Sequence, residues 1–302
     1  MEDVALVQYG VSPRDDTLAL GVFDGHSGSE AAEFAREHLL RHIKETDEWK
    51  RGDVSAGCIH GFMHADEAMR KAGVNSGTTA VLALLSPDSI VVANCGDSRS
   101  VLSRGGRQLP MSVDHKPGRK AESRRINRSG GYLDETDPRN PRVVCDSMNM
   151  SLATSRALGD FDFKSNPLRQ PEEQMISPVP ELYSRQRVPQ DDFLILATDG
   201  VWDVMDNPGI VSFLEMKAVV FDQEEREQQE GGGGSRRKRN PRGVPGKGCL
   251  TTLSGSGLAR QHDDSTRRPP AAKNTSETAV ASKRVSVCRR WINSRTGGWE
   301  RG

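Results

Sequence analysis

Three times this chain runs through strand-forming residues and stops at an aspartate beside a glycine. The segments are Gly21-Val22-Phe23-Asp24-Gly25-His26, Val92-Ala93-Asn94-Cys95-Gly96-Asp97-Ser98-Arg99 and Ile195-Leu196-Ala197-Thr198-Asp199-Gly200. Glu2 and Asp3 stand just before a fourth such run, Val4 to Gln8. Each apolar run must pair its backbone in a sheet and bury its side chains, so the carboxylates are left at strand ends on rigid supports. Any single Asp-Gly pair is more often a turn than a ligand. His26 alone is more often a solvated or capping histidine, Gly96-Asp97 alone a hairpin turn, and Glu2 and Asp3 alone an exposed terminus. The combination carries the information. Hard cations such as magnesium or manganese take oxygen ligands, and glycine next to aspartate lets a backbone carbonyl approach as well. Two such ions can ionise a water at neutral pH and clamp an anionic substrate. His26, two residues from Asp24, titrates near neutrality and could protonate a leaving oxygen.

Between these turns the pattern predicts a mixed fold. Leu18 to Phe23 reads as a strand joined to Val4–Gln8 through Ser12 to Asp16. Ser27 to Lys44 reads as a helix, with Ser27 and Glu30 at capping-box spacing and Ala31, Ala35, Leu39 and Ile43 on one face. A second helix is expected over Val54 to Lys71. Four short strands over Thr79–Leu85, Ser89–Asn94, Ser100–Arg104 and Arg107–Leu109 suggest an antiparallel meander. Residues 114–170 are more polar and suggest a loop-rich insertion with a helix near Lys120 to Arg128. Phe193 to Ala197 reads as a buried strand and Gly209 to Phe221 as a last helix. The expected class is α+β, with antiparallel sheet and helices to cover it.

Composition separates the chain into two parts near Phe221. Apolar residues make up only 34% of the 302, and mean hydropathy is −0.63, both low for a chain folded throughout. Beyond Phe221 come four glycines (Gly231 to Gly234), the basic run Arg236-Arg237-Lys238-Arg239, and a stretch rich in Ser, Thr, Gly, Arg and Pro. Residues 1–221 are therefore expected to form the domain and 222–302 a disordered low-complexity tail. The basic run fits a solvated linker better than a nuclear import signal or a nucleic-acid contact. Acidic and basic residues balance at 42 each, which gives no global pull toward nucleic acid or anionic membrane. No apolar stretch is long enough to span a bilayer, and no secretory signal is read at Met1. The five scattered cysteines lack CxxC spacing, which argues against zinc and for reduced thiols in the cytoplasm or nucleus.

Taken in order, the motifs resemble the type 2C family of metal-dependent serine/threonine protein phosphatases. They are Met1-Glu2-Asp3, Val22 through Gly28, Ser76-Gly77-Thr78-Thr79-Ala80, Val92 through Arg99, Asp114-His115-Lys116-Pro117, Ser155-Arg156-Ala157-Leu158-Gly159-Asp160, and Leu196 through Asp203. The resemblance ends near Val220. It implies a four-layer α-β-β-α sandwich, two antiparallel sheets flanked by helices, with a metal cluster at one end. It implies hydrolysis of phosphoserine and phosphothreonine in proteins by a metal-activated hydroxide, using two Mg2+ or Mn2+ ions and a weaker third. Asp24 matches the bridging ligand, Gly25 the carbonyl ligand and Asp199 a ligand of the second ion. Glu2 and Asp3 match the pair that holds metal waters, Asp97 a ligand of the third ion, and His26 the general acid. Residues 114–170 match the region containing a flap beside the cleft. The implied partner is a phosphorylated protein, bound by a monomer.

Two parts of the family pattern are not found: an arginine expected a few residues before Met1, and a closing Asp-Asn motif followed by an apolar strand. Asp263-Asp264 is the nearest pair. The fold is accordingly expected to be incomplete at the C-terminus. The alternative expectation is a truncated, catalytically weak or inactive phosphatase-like protein that binds phosphoproteins.

Overall fold

The computed structural model describes residues 2–12, 16–145, 150–216, 250–254 and 284–288. In chain order the elements begin with β1 (Val4–Gln8), β2 (Leu18–Phe23), β3 (Gly25–His26), α1 (Glu30–Glu45), α2 (Asp47–Lys50) and α3 (Val54–Lys71). Then come β4 (Gly77–Thr78), β5 (Ala80–Leu85), β6 (Ser89–Cys95), β7 (Arg99–Arg104), β8 (Arg107–Pro110) and α4 (Lys120–Ser129). They continue with β9 (Tyr132–Asp134), β10 (Arg142–Cys145), β11 (Met150–Leu152), β12 (Leu158–Gly159), β13 (Glu181–Gln186), β14 (Asp191–Ala197) and α5 (Asp199–Trp202). A further helical stretch, α6, covers 207–216, and two strands, β15 (Leu250–Ser254) and β16 (Arg284–Cys288), lie in the C-terminal part.

Two antiparallel five-stranded sheets, ordered β1-β2-β5-β6-β13 and β15-β16-β14-β7-β8, carry the fold. Strands β2 and β5 are buried at every position, because each has an apolar layer on both faces. On one face Ala19, Phe23, Leu82 and Ala93 meet Ala35, Leu39, Ile43, Cys58 and Phe62 of α1 and α3. On the other face Leu18, Leu20, Val22, Val81 and Ala83 meet Leu102, Leu194 and Leu196 of the second sheet. The outer face of that sheet packs Val101, Phe193 and Ile195 under Trp202, Ile210 and Val211. At about 1.5–3 kcal/mol for each large side chain removed from water, these three apolar layers hold the four structural layers together. The α+β sandwich expected from the sequence is therefore present. Among the described residues no helix is long and apolar enough to cross a membrane.

Local differences have physical causes. The four-strand meander is split between the sheets: β5 and β6 belong to the first, β7 and β8 to the second, and the Gly96-Asp97 turn is the crossing point. The capping box does not form. Ser27 adopts φ 58 as the chain turns from β3, and α1 starts at Glu30. Its first turn is capped instead across the structure, Ala31 N donating to Ser76 Oγ at 2.9 Å. Residues 114–170 contain α4 as expected, and also the three-stranded sheet β11-β10-β9, which polar, Pro-interrupted sequence conceals. Most of 222–302, and the end of the helix expected to run to Phe221, lie outside the described residues. Within them β16 pairs with β14 from Leu194↔Cys288 to Ala197↔Val285, and β15 pairs with β16. This part of the chain was expected to contain no strand. A buried strand such as β14 cannot leave its second edge unpaired, and the alternating Arg284-Val285-Ser286-Val287-Cys288 sequence can serve that edge.

Candidate active site

The acidic turns meet because of register. β1 pairs with β2 with Val4 opposite Phe23, so the next residues out, Asp3 and Asp24, are neighbours at the sheet end. β7 pairs with β14 with Arg99 opposite Ala197, which brings Asp97 toward Asp199 two residues further on. Hydroxyls stitch the two sheets together at this end. Asp24 N donates to Thr79 Oγ1 at 3.2 Å, Thr79 N donates to the Asp24 carbonyl at 2.9 Å, and Thr79 Oγ1 lies 2.7 Å from Ser98 Oγ. Thr198 Oγ1 donates to Asp3 Oδ2 at 3.4 Å.

The carboxylates act on one another electrostatically. Burial pushes the Asp24 carboxyl up, and the charges of Asp3 and Asp199, a hydrogen bond with Asp3, and Asp97 push it further, to about 9. Asp97 is also raised by burial, although Lys116, whose ammonium contacts its carboxylate, opposes the shift. Like charges so arranged are stable only when protonated or when a cation lies among them. The side chains are not drawn in around one point: among the described residues no group of three His, Cys, Asp or Glu closes into a ligand cage. Gly25 packs tightly on the N-terminal segment. A Cβ there would lie 2.8 Å from the Glu2 carbonyl oxygen and 3.2 Å from Ala32 Cβ, so only glycine allows this approach. Glu2 is fixed in turn by Gly28 N, which donates to Oε1 at 3.2 Å.

His26 stands beside this cluster, with Nε2 at 2.8 Å from both oxygens of Asp160. Burial pushes its pKa down, but the hydrogen bond and charge of Asp160, with Asp97 and Glu2 behind them, carry it above the ordinary value. The sequence-predicted residues Glu2, Asp3, Asp24, Gly25, His26, Asp97 and Asp199 thus lie at the same end of the sandwich. Sequence reasoning assigned no role to Asp160 or Lys116, although both lie inside motifs it had singled out. Their partners are distant in sequence, so spacing alone could not reveal them. A cavity of about 540 Å³ lined by Tyr132, Leu133, Val144 and Met150 lies on the small sheet, inside the region matched to the flap, and holds none of the acidic cluster.

The sequence profile of the Protein phosphatase 2C family matches residues 1–224. Rat protein phosphatase 1B is 37% identical over 241 residues, an alignment that takes in 74% of this chain and 59% of the relative. Bovine protein phosphatase 1A is 39% identical over 237 residues, with the same shares of each chain. Among solved structures, a serine-threonine phosphatase 2C from Toxoplasma gondii superposes with a TM-score of 0.61 at 22% identity, covering 76% of this chain and 90% of that one. This chain belongs to the protein phosphatase 2C family. It spans less than two thirds of the length of those two curated relatives.

Proposed function

We propose that this chain is a protein phosphatase that hydrolyses phosphoserine and phosphothreonine with Mg2+ or Mn2+ held by its acidic cluster. The observation that carries this reading is the gathering of Asp3, Asp24, Asp97 and Asp199 at one end of the two sheets by strand register, where burial first, and the neighbouring carboxylates after it, push the Asp24 carboxyl up to about 9. An all-oxygen donor set with surplus negative charge fits hard divalent cations and little else. Asp24, Asp199 and the Gly25 carbonyl would hold two ions, Glu2 and Asp3 their waters, and Asp97 a third, weaker one. Bound there, the ions supply charge to neutralise the phosphoryl group and make a water nucleophilic at neutral pH. His26 would give its proton to the serine or threonine oxygen as the ester bond breaks. The burial that raises Asp24 also limits bulk water, which strengthens each of these interactions. The names of the relatives, protein phosphatases 1A and 1B, support the substrate class. The reading extends to a monomer in the cytoplasm or nucleus, with a phosphoprotein and neither nucleic acid nor membrane as partner.

The test is hydrolysis of a phosphothreonine peptide by the full chain with manganese. Turnover abolished by Asp24→Ala is expected. Tight phosphopeptide binding without any turnover would replace the reading with the non-catalytic binding module.

A further inference from the structure

We propose that Asp160 is the positioning residue of His26, holding its Nε2–H so that Nδ1 is the ring nitrogen that carries the second, transferable proton toward the substrate. The role of His26 as proton donor rests on the phosphatase reading; the placement of its ring by Asp160 does not.

The arrangement is built by the small sheet β12-β4-β3. Gly77 is its centre, with His26 opposite on one side and Gly159 on the other. His26 and Asp160 therefore reach toward each other across Gly77. A Cβ built at Gly77 would overlap His26 Nε2 and both Asp160 carboxylate oxygens. Position 77 must be free of a side chain for the two to meet. Asp160 sits at φ 52, a left-handed conformation that costs a non-glycine residue about 1 kcal/mol or more and persists only where the surroundings impose it.

The surroundings do impose it. Asp160 N donates to the Ser76 carbonyl at 3.3 Å, and Phe163 N to the Asp160 carbonyl at 3.0 Å. One residue earlier, Gly159 N donates to Asp66 Oδ1 at 2.8 Å. The buried Lys164 ammonium holds the same Asp66 oxygen at 2.6 Å and the Ala157 carbonyl at 2.9 Å. Arg70 lies over the Phe161 ring at 4.3 Å. The segment is thus locked to α3 on both sides of Asp160.

A purely structural role for the Asp160 carboxylate would be to cap the 3-10 turn Phe161–Lys164 that follows it, but it makes no side-chain cap bond there. Its side chain is only 8% exposed, against 27% for His26. A buried carboxylate aimed with both oxygens at one imidazole N–H selects the tautomer and orientation of that ring.

The test uses the full chain labelled with 15N-histidine. Long-range proton–nitrogen correlation, recorded at a pH high enough for the ring to have lost its second proton and with His26 identified from a His26→Gln variant, should show a neutral ring protonated at Nε2. Asp160→Asn should convert that signal to a mixture of tautomers and leave the other histidines unchanged. Gly77→Ala, which separates the pair without altering either, should do the same if Asp160→Asn does not fold. An unchanged His26 pattern in a folded variant overturns the assignment, with or without turnover.

Kinetics with manganese give a second readout. Asp160→Asn should lower kcat on a phosphothreonine peptide on the order of 100-fold, with KM within about twofold. It should affect p-nitrophenyl phosphate much less, because that leaving group needs no proton. In a His26→Gln background the substitution should add nothing further; independent losses would show that Asp160 acts on something other than His26. If the unaltered chain does not turn over, the phosphatase reading fails and the correlation spectrum alone decides the role of Asp160.

Discussion

The ammonium group of Lys116 rests on the carboxylate of Asp97. Asp97 is buried and faces Asp199, while Lys116 is 38% exposed, so the lysine approaches the acidic cluster from the solvent side. It is a built-in positive charge at the position matched to the weakest metal site. A cation arriving there must displace or share that partner.

Lys116→Gln is therefore expected to strengthen Mn2+ binding at Asp97. Partly exposed ion pairs contribute up to about 1 kcal/mol, so the gain should be about fivefold. Calorimetric titration of the metal-free chain measures it. Weaker manganese binding in the variant would mean that Lys116 organises the site rather than competing for it.

Asp24→Asn should trade stability against metal affinity. The Asp24 carboxyl has a folded-state pKa of about 9 against an ordinary 3.8. Between these values the unfolded chain releases the proton that the folded chain retains. The metal-free protein thus loses stability as pH rises from about 4 toward 9. Asparagine removes that dependence. The variant should melt higher than the parent at pH 7.5 without metal, by about 3 °C or more, and gain little from added manganese. A lower metal-free Tm for the variant would count against the repulsion among Asp3, Asp24 and Asp199.

Much of this was legible because it is local. The strand pattern and the Asp-Gly stops announced β2, β6, β14 and the carboxylates at their ends, since a buried strand and its turn are written in adjacent residues. The division of β5–β8 between two sheets was not legible, because which sheet a strand joins depends on partners far along the chain. The capping of α1 by Ser76 was hidden for the same reason, while the sequence offered the wrong local partner, Ser27. β13 was overlooked because Glu181–Gln186 is mostly polar and its outer half is exposed. β15 and β16 were concealed by a composition that argues for disorder over the whole of 222–302, although five residues suffice to pair an open edge. The His26–Asp160 contact spans 134 positions, and no spacing rule reaches that far.

Arg99→Lys should be destabilising although the charge is kept. Arg99 donates through Nε and Nη2 to Asp114 at 2.8 and 2.7 Å and through Nη1 to Asn207 at 2.9 Å. It also lies over the Trp202 ring at 4.9 Å. It thereby ties β7 to the chain on the far side of Asp199. A lysine ammonium cannot reproduce the fork or the stacking. The expected cost is about 2 kcal/mol, read as a lower urea midpoint with an unchanged slope. A midpoint equal to that of the parent would show that these contacts are not maintained in solution.

Glu122 gives a pH dependence of the opposite sign, in the acid range. Its side chain is 1% exposed and lies between Arg125 Nη1 at 2.6 Å and Arg156 Nη2 at 2.8 Å, with Ser155 Oγ donating at 2.8 Å. Burial pushes the carboxyl up, but the hydrogen bond from Arg156 and the charges of both arginines outweigh it and bring the pKa down to about 2, against an ordinary 4.5. A depressed carboxyl stabilises the folded state above the unfolded pKa. Its contribution is whole above pH 4.5 and is lost as pH falls from there toward 2. That difference corresponds to roughly 3 kcal/mol at neutral pH. Glu122→Gln removes the counter-charge that two buried guanidinium groups share and leaves Arg156 only its longer contact to Glu181 at 3.4 Å, which costs a similar amount. Because Arg156 and Ser155 begin the segment that ends at Asp160, the loss should also loosen the partner of His26. The variant should melt well below the parent at pH 7, and the gap in Tm should narrow by about half or more as both are titrated from pH 5 to pH 3. A gap that stays constant over that range would mean that Glu122 is held by packing and not by its charge.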